Sequence, residues 1–260
     1  MATDDLVVVH GGGVTADMYD RLVRALARRL PRITVHVYNR RGRLDAGPKR
    51  PGYTVDDEIA DLAAVLERTG ARNVFGHSYG GLVVMRAALE LDLGHVAIYD
   101  GTVQVDDLFP SAFVPRMRAH LDAGDLARAV TVMGQALESG GPAAARLPFG
   151  VQLAISRAFL RTPIGRKMGE LLPTTILETE EVVAHPGPAS QYAGIRAPAL
   201  LACGAQSPPY YGKINAALAA AMPDARTFVL PRSSHNAPNI GRPRFADMLA
   251  QFLTGSAVSA

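Results

Sequence analysis

The sequence predicts an α/β protein with a mainly parallel central sheet and helices on both of its faces. Short apolar, β-prone segments alternate with helical segments through the first 100 residues, and the same alternation returns after residue 194. The stretch between these parts contains helical segments and no convincing strand. We therefore predict a core formed by residues 1–102 and 194–260, with residues 103–193 inserted as a helical cap.

The periodicity of apolar residues defines the predicted elements. In the first helical segment, Met18, Leu22, Leu26 and Leu30 recur every fourth residue, as on one face of a helix. The strands are predicted at 6–10, 33–38, 73–75, 95–99, 199–203 and 227–230, and the core helices at 17–30, 56–68, 82–91, 211–221 and 244–253. Glycines and prolines separate four predicted cap helices, at 113–121, 126–137, 152–160 and 175–183. An insertion in such a sheet belongs over the carboxyl ends of the strands, where ligands bind.

Composition narrows the class of protein. The chain has 260 residues, of which 48% are hydrophobic and 20% charged, as in ordinary globular proteins. A single cysteine, Cys203, excludes an intramolecular disulfide framework and a cysteine zinc cluster. Residues 4–9 resemble a strand and not a signal peptide, and no apolar run reaches membrane-spanning length, so we predict a cytoplasmic protein without a membrane partner.

The basic residues are mostly arginine, 24 against three lysines, which suggests a GC-rich bacterial genome. Arg21, Arg24 and Arg28 share one face of the first predicted helix. Aromatic residues for base stacking are not interleaved with them, so a solvated helix face is favoured over a nucleic-acid footprint. The sequence leaves the oligomeric state open.

The most informative motif is Gly76-His77-Ser78-Tyr79-Gly80, placed where a buried strand should turn into a helix. This arrangement is typical of a nucleophile elbow, in which a strained turn projects the serine hydroxyl outward. Glycines on both sides allow the strand and the helix to pass closely. Ser78 is therefore the candidate nucleophile, and an ordinary Gly-rich turn is the alternative.

A serine nucleophile requires a base that accepts its proton. His235 follows the last predicted strand and precedes the last helix. A loop that leaves the carboxyl end of a parallel strand can reach the edge of the sheet where Ser78 is expected. His235 is therefore the candidate base.

Acyl transfer also requires two donors for the oxyanion. The backbone N–H of Tyr79, directly after the nucleophile, is one candidate. The second is the N–H of Gly12, in the Gly11-Gly12-Gly13 loop after the first strand. A phosphate-binding nest is the alternative for this loop, but the spacing of nucleotide-binding glycine motifs is missing.

These features together resemble the α/β-hydrolase superfamily. The residues that carry the resemblance are His10-Gly11-Gly12 after the first strand, residues 38–43 after the second, the elbow at 76–81 and the late His235. The resemblance covers residues 6–100 and 195–253, and in the cap it concerns position only. It implies a Ser-acid-His triad and hydrolysis of esters, thioesters, amides or related bonds, and the superfamily also includes members with non-hydrolytic chemistry. The chemistry of such a triad needs no metal or organic cofactor, and we predict none.

One position departs from the family pattern. The family usually carries its acid in the loop after the strand at 199–203, and here that loop reads Gly204-Ala205-Gln206-Ser207 without a carboxylate. Some members resemble this chain in carrying the acid one strand earlier, where Asp100 stands. We therefore predict Asp100 as the acid, with a turn-forming role as its alternative and with Asp106 and Asp107 as reserves.

The predicted substrate is a small molecule with a largely apolar acyl group, such as a polyketide-like chain. Apolar cap side chains are expected to line its pocket, and the candidates are Phe109, Phe113, Met133 and Phe149. Three functions remain open: hydrolysis of an ester or thioester, acyl transfer or cyclisation at the same site, and ligand binding by a catalytically silent receptor.

Two further features have competing interpretations. Arg40 and Arg41 either bind an acidic group of the substrate or brace their own loop, and bracing is the commoner role. Cys203 is either a small buried core residue, which is favoured, or a reactive thiol.

Overall fold

The part of the chain that the structure describes, residues 3–138 and 140–258, forms a six-stranded parallel sheet in the computed structural model. The strands are β1 (Thr3–Val9), β2 (Val35–Val37), β3 (Ala71–His77), β4 (Val96–Tyr99), β5 (Ala199–Gly204) and β6 (Ala225–Leu230). Their spatial order is β2-β1-β3-β4-β5-β6, and every neighbouring pair is parallel. The chain order reverses between β1 and β3, so a crevice opens beyond their carboxyl ends. The predicted fold class is confirmed.

The helices connect these strands and flank the sheet. In chain order they are α1 (Asp20–Ala27), α2 (Val55–Thr69), α3 (Tyr79–Ala87), α4 (Val114–Asp122), α5 (Leu126–Ala136), α6 (Pro142–Ala145), α7 (Phe149–Phe159), α8 (Pro163–Glu170), α9 (Leu172–Ala184), α10 (Pro209–Ala221), α11 (Ala237–Ile240) and α12 (Pro243–Leu253). Helices α4 to α9 all lie between β4 and β5 in the sequence. We keep the name cap for residues 103–193.

The sheet is buried on both faces at residues 6–9 of β1, in β4 and at residues 199–203 of β5, which explains why these stretches are apolar without interruption. In β1, Val7 and Val9 contact one hydrophobic cluster, whereas Leu6 and Val8 contact the other. Helices α2 and α3 pack on the first face, and α1 and α12 pack on the second. Side chains of consecutive strand residues alternate between the two faces, so β1 is shared by both layers.

The predicted helix at 17–30 is divided in the structure. Ala16–Tyr19 forms a turn of 3₁₀ helix, and α1 begins only at Asp20 and ends at Ala27. Tyr19, the last residue of this 3₁₀ turn, has a fully buried side chain whose hydroxyl is hydrogen-bonded to His77. Helix α2 follows the prediction closely, because a capping box of Thr54 and Asp57 marks its start and Gly70, with φ +73°, caps its end after Thr69.

Candidate active site

Ser78 lies between β3 and α3 on a strained turn, with φ +55° and ψ −122°. A Cβ atom on Gly76 would lie 2.6 Å from the carbonyl oxygen of Gly80, and one on Gly80 would lie 2.1 Å from the carbonyl oxygen of Val9. No side chain fits at such distances, so the turn requires glycine at both positions. The Tyr79 N–H, at the first position of α3, is one of the groups for which a helix offers no internal acceptor.

The glycine loop after β1 lies directly against Ser78. A Cβ atom on Gly11 would lie 3.0 Å from Cβ and 3.6 Å from Oγ of Ser78. Gly12 and Tyr79, the two candidate oxyanion donors, line the same cavity as Ser78. The structure therefore brings together the candidate nucleophile and the two residues expected to donate to the oxyanion.

Asp100 and His235 form a hydrogen-bonded pair at the carboxyl ends of β4 and β6. The distance between Asp100 Oδ2 and His235 Nδ1 is 3.0 Å, and the Asp100 side chain is completely buried. Asp100 also accepts hydrogen bonds from Ser207 Oγ, at 2.6 Å, and from the Gly204 N–H, at 3.3 Å. Like Ser78, Asp100 has a positive φ, +46°, which directs its carboxylate away from the regular path of the strand.

The alternatives to Asp100 lie elsewhere. Asp106 and Asp107 are exposed, and neither lines the cavity. Gln206, in the loop where the family usually carries its acid, lines the cavity, and its neighbour Ser207 supplies a hydroxyl to Asp100. This contact could not be predicted, because a serine after a strand carries no signal for a partner 107 positions away.

A second histidine, His77, connects the elbow to two other loops. Its Nε2 lies 2.9 Å from the carbonyl oxygen of His235, so Nε2 must carry the proton and donate it. Its Nδ1 then accepts from the Tyr19 hydroxyl at 2.5 Å, and that hydroxyl accepts from the Gly11 N–H at 3.3 Å. Burial, together with the nearby His235 ring, holds the pKa of His77 well below its usual range. His77 is therefore neutral and fixes the backbone that carries His235.

The cavity around Ser78 has a volume of about 840 Å³. Its apolar wall comes from the cap, through Phe109, Met133, Leu137, Met168, Leu172 and Val182. Phe109 and Met133 were expected there. Phe113 and Phe149 were expected too, but the structure places neither on the wall, because Phe113 is buried in the hydrophobic cluster and Phe149 packs against that cluster.

The arginines of the β2–α2 connection act within the protein. Arg40 is completely buried and makes ion pairs to Glu58 and Glu178, while Arg41 pairs with Asp61 at the surface. Their side chains brace the loop, as the commoner interpretation holds. Cys203 is also buried, and its burial, aided by the charge of Asp100, raises the pKa of its thiol to about 11.

Membrane-spanning helices and metal clusters are both missing from residues 3–138 and 140–258. No helix in these ranges is both long and apolar enough to cross a bilayer. Within the same ranges, no group of three or more histidine, cysteine, aspartate or glutamate side chains is arranged to hold a metal ion.

Comparison with known proteins gives the family. A family profile described as the alpha/beta hydrolase family matches residues 6–247. An alpha/beta hydrolase from Sphaerobacter thermophilus is 27% identical, with a TM-score of 0.74 over 95% of this chain and 91% of that one. MenH from S. aureus is 16% identical, with a TM-score of 0.69 over 98% and 95% of the two chains.

An enol-lactonase from Burkholderia xenovorans is 22% identical, with a TM-score of 0.64 over 96% of this chain and 90% of that chain. No protein of curated function matches the sequence. Because the family profile spans nearly the whole sequence, the chain belongs to the alpha/beta hydrolase family.

Proposed function

We propose that this protein is a serine hydrolase that cleaves an ester or thioester of a small molecule with a largely apolar acyl group. One observation carries the proposal. Ser78 stands on a strained turn and shares a cavity with His235, whose Nδ1 is hydrogen-bonded to the buried carboxylate of Asp100. A nucleophile, a base and an orienting acid are the three parts that acyl transfer to serine needs.

In the proposed reaction, Ser78 Oγ attacks the carbonyl carbon and His235 Nε2 takes its proton. Asp100 holds the imidazole in one tautomer and stabilises the charge that His235 gains. The N–H groups of Gly12 and Tyr79 donate to the oxyanion of the tetrahedral intermediate. His235 returns the proton to the leaving group, and a water molecule activated by His235 releases the acyl group from Ser78.

The cavity supports the choice of substrate class. Phe109, Met133 and Leu172 offer apolar and adaptable contacts to an acyl chain, and the volume of about 840 Å³ is typical of small-molecule sites. Alkoxide and thiolate leaving groups depart more easily than an amine, which favours esters and thioesters over amides. The relative from Burkholderia xenovorans is an enol-lactonase, and a lactone is a cyclic ester, so one protein of this fold is named for ester chemistry.

A fluorophosphonate probe tests the proposal directly. We expect the probe to form a covalent adduct on Ser78, detected by intact mass and peptide mapping. Ser78→Ala should abolish both the adduct and the hydrolysis of p-nitrophenyl and acyl-thioester substrates. Ser190→Ala, at an exposed position outside the cavity, is the control that should label normally. A folded wild-type protein that neither reacts with the probe nor hydrolyses these substrates would favour the alternative function, ligand binding by a catalytically silent receptor.

Isotopically marked water then separates hydrolysis from acyl transfer. In H₂¹⁸O, hydrolysis places one heavy oxygen in the released acid for each turnover. A product that forms without heavy oxygen would instead assign the site to transfer or cyclisation.

A further inference from the structure

A group of five buried charged side chains lies beside the glycine loop after β1 and has no part in the proposed proton transfer. We call it the Arg40 cluster. Its side chains are at most 6% exposed, and its members are Arg40, Arg43, Lys49, Glu58 and Glu178. Buried charges cost free energy unless they are paired with good geometry, so a cluster of this size requires an explanation.

The pairs within the Arg40 cluster are close. Arg40 Nη1 lies 2.7 Å from Glu58 Oε1 and 2.8 Å from Glu178 Oε1. Arg43 Nη2 donates to Glu178 Oε2 at 2.8 Å. Burial opposes ionisation of Glu178, but the charges of Arg40, Arg43 and Lys49 outweigh it and keep the pKa of Glu178 well below its usual range. Glu178 is therefore a carboxylate, and it belongs to the cap helix α9.

The remaining donors of Arg40 hold the backbone of the glycine loop. Arg40 Nη2 donates to the carbonyl oxygen of Gly11 at 3.0 Å, and Arg40 Nε donates to that of His10 at 3.0 Å. The His10 ring adds a third contact, because its Nε2 accepts from the Arg40 N–H and its Nδ1 can donate to the Gly11 carbonyl oxygen at 2.9 Å. The Gly11 carbonyl is thus drawn towards the protein interior.

This anchoring determines where the next N–H points. In a trans peptide the carbonyl and the following N–H face opposite directions, and no peptide bond in the described chain is cis. With the Gly11 carbonyl directed inward, the Gly12 N–H is directed towards the cavity that Gly12 lines. Among residues 3–138 and 140–258, the Gly12 N–H has no hydrogen-bond acceptor, so it is free to donate to a substrate oxygen.

Arg40 and Glu178 also contact the two oxyanion residues in other ways. The Arg40 guanidinium lies over the ring of Tyr79, 4.8 Å from its centroid. Glu178 Oε2 would lie 3.2 Å from a Cβ atom on Gly12. One arginine therefore contacts the carbonyl of the peptide that carries the Gly12 N–H and also the ring of Tyr79, and one cap carboxylate holds that arginine.

We propose that Arg40 is a positioning residue for the oxyanion hole and that Glu178 of the cap holds Arg40 in its productive orientation. The inference rests on the proposed function, since it concerns the oxyanion of the same reaction. Arginine is required because its planar guanidinium donates to the Gly11 carbonyl oxygen and to both glutamates at once, which the single ammonium group of lysine cannot do.

Two isosteric or charge-conserving variants test the proposal. Arg40→Lys keeps the charge and removes the fork, and Glu178→Gln keeps the shape and removes one negative charge. We expect both to lower kcat by about 10- to 100-fold with KM within about threefold, because a misplaced donor weakens the transition state more than the substrate complex. The matched controls are Arg41→Lys, in a surface ion pair, and Glu180→Gln, in a half-exposed pair with Arg118.

The same variants separate positioning from charge. If the net positive charge of the cluster alone mattered, Arg40→Lys would keep the wild-type kcat, and Glu178→Gln would equal or exceed it. Either result would overturn the proposal.

Amide hydrogen exchange tests the inference without measuring turnover. It distinguishes a local loss of order in the glycine loop from misfolding of the variant and from failure of the proposed function. We expect amide hydrogen exchange in residues 6–19 to become at least tenfold faster in Glu178→Gln, with β5 unchanged and with no change in Glu180→Gln. Unchanged exchange in residues 6–19 would overturn the inference. If the wild-type protein failed to label at Ser78, the proposed function would fall, and exchange would still decide whether Arg40 and Glu178 hold the loop.

Discussion

The core and the cap contribute to the site in different ways. In the core, the polar side chains near Ser78 are held by other core residues: Asp100 by Ser207 and the Gly204 N–H, and the His235 backbone by His77. The cap contributes mostly apolar side chains to the wall of the cavity. Its Glu178 accepts a hydrogen bond from Arg40, one of the buried charged residues beside the glycine loop. Among the described residues, the hydrogen bonds that hold Asp100 and the His235 backbone therefore come from the core, whereas the glycine loop is also tied to the cap through Arg40 and Glu178.

The largest effect is expected on the core side, from Asp100→Asn. An amide cannot stabilise the imidazolium and can favour the wrong tautomer of His235, so kcat should fall by about 10⁴-fold with little change in KM. Steady-state kinetics on a p-nitrophenyl ester measure both constants. Asp107→Asn, at an exposed position that also has a positive φ, is the matched control. A near wild-type kcat in Asp100→Asn would assign the acid to another residue.

The core was largely predictable from the sequence because the proposed chemistry requires particular residue types at particular strand ends. Ser78 needs glycines on both sides, and His235 and Asp100 each follow a strand that reads clearly as apolar. The hydrogen bonds between Tyr19 and His77 and between Ser207 and Asp100 were not predictable, because they join residues 58 and 107 positions apart and no local pattern marks them.

The cap was predicted less well, for two physical reasons. Prolines were interpreted as breaks, although proline also suits the first turn of a helix, and α6 and α8 each have one there. Apolar residues that line a cavity and those that fill a core have the same composition, so nothing local separated Phe109 from Phe113. The structure decides between them only through packing.

The second-largest expected effect is a dependence of folding stability on pH, and it arises from two buried histidines of the core. Burial holds the pKa values of His10 and His77 well below 6.5, the usual value for histidine. Below pH 6.5 these two histidines therefore bind protons in the unfolded chain but not in the folded protein, so the free energy of unfolding falls as the pH decreases. Each histidine should contribute a slope of up to about 1.4 kcal/mol per pH unit between about pH 6.5 and its folded pKa.

Denaturant unfolding at about pH 7.5, 6.5, 5.5 and 5.0 measures this slope, and this range lies above the titration of ordinary carboxylates, so histidines dominate it. His77→Gln, which removes one of the two groups, should flatten the dependence below about pH 6.5 and leave the part above it flat. A stability that is constant from about pH 7.5 to 5.0 would contradict this, because it would mean that both rings bind protons as readily in the folded protein as in the unfolded chain.

The smallest effect is expected in the cap, at Gly134 in the last turns of α5. A Cβ atom there would have no neighbouring atom within 4 Å, whereas one on Gly80 in the core would lie 2.1 Å from a backbone oxygen. Gly134→Ala should therefore raise the free energy of unfolding by about 0.5–1 kcal/mol, because alanine loses less backbone entropy in a helix. Thermal unfolding should show a small increase in Tm, with kcat unchanged.

The same substitution at Gly80 serves as the contrast, since it forces β1 and α3 apart and should prevent folding. A Gly134→Ala variant that is less stable or slower than wild type would mean that α5 uses the flexibility of glycine.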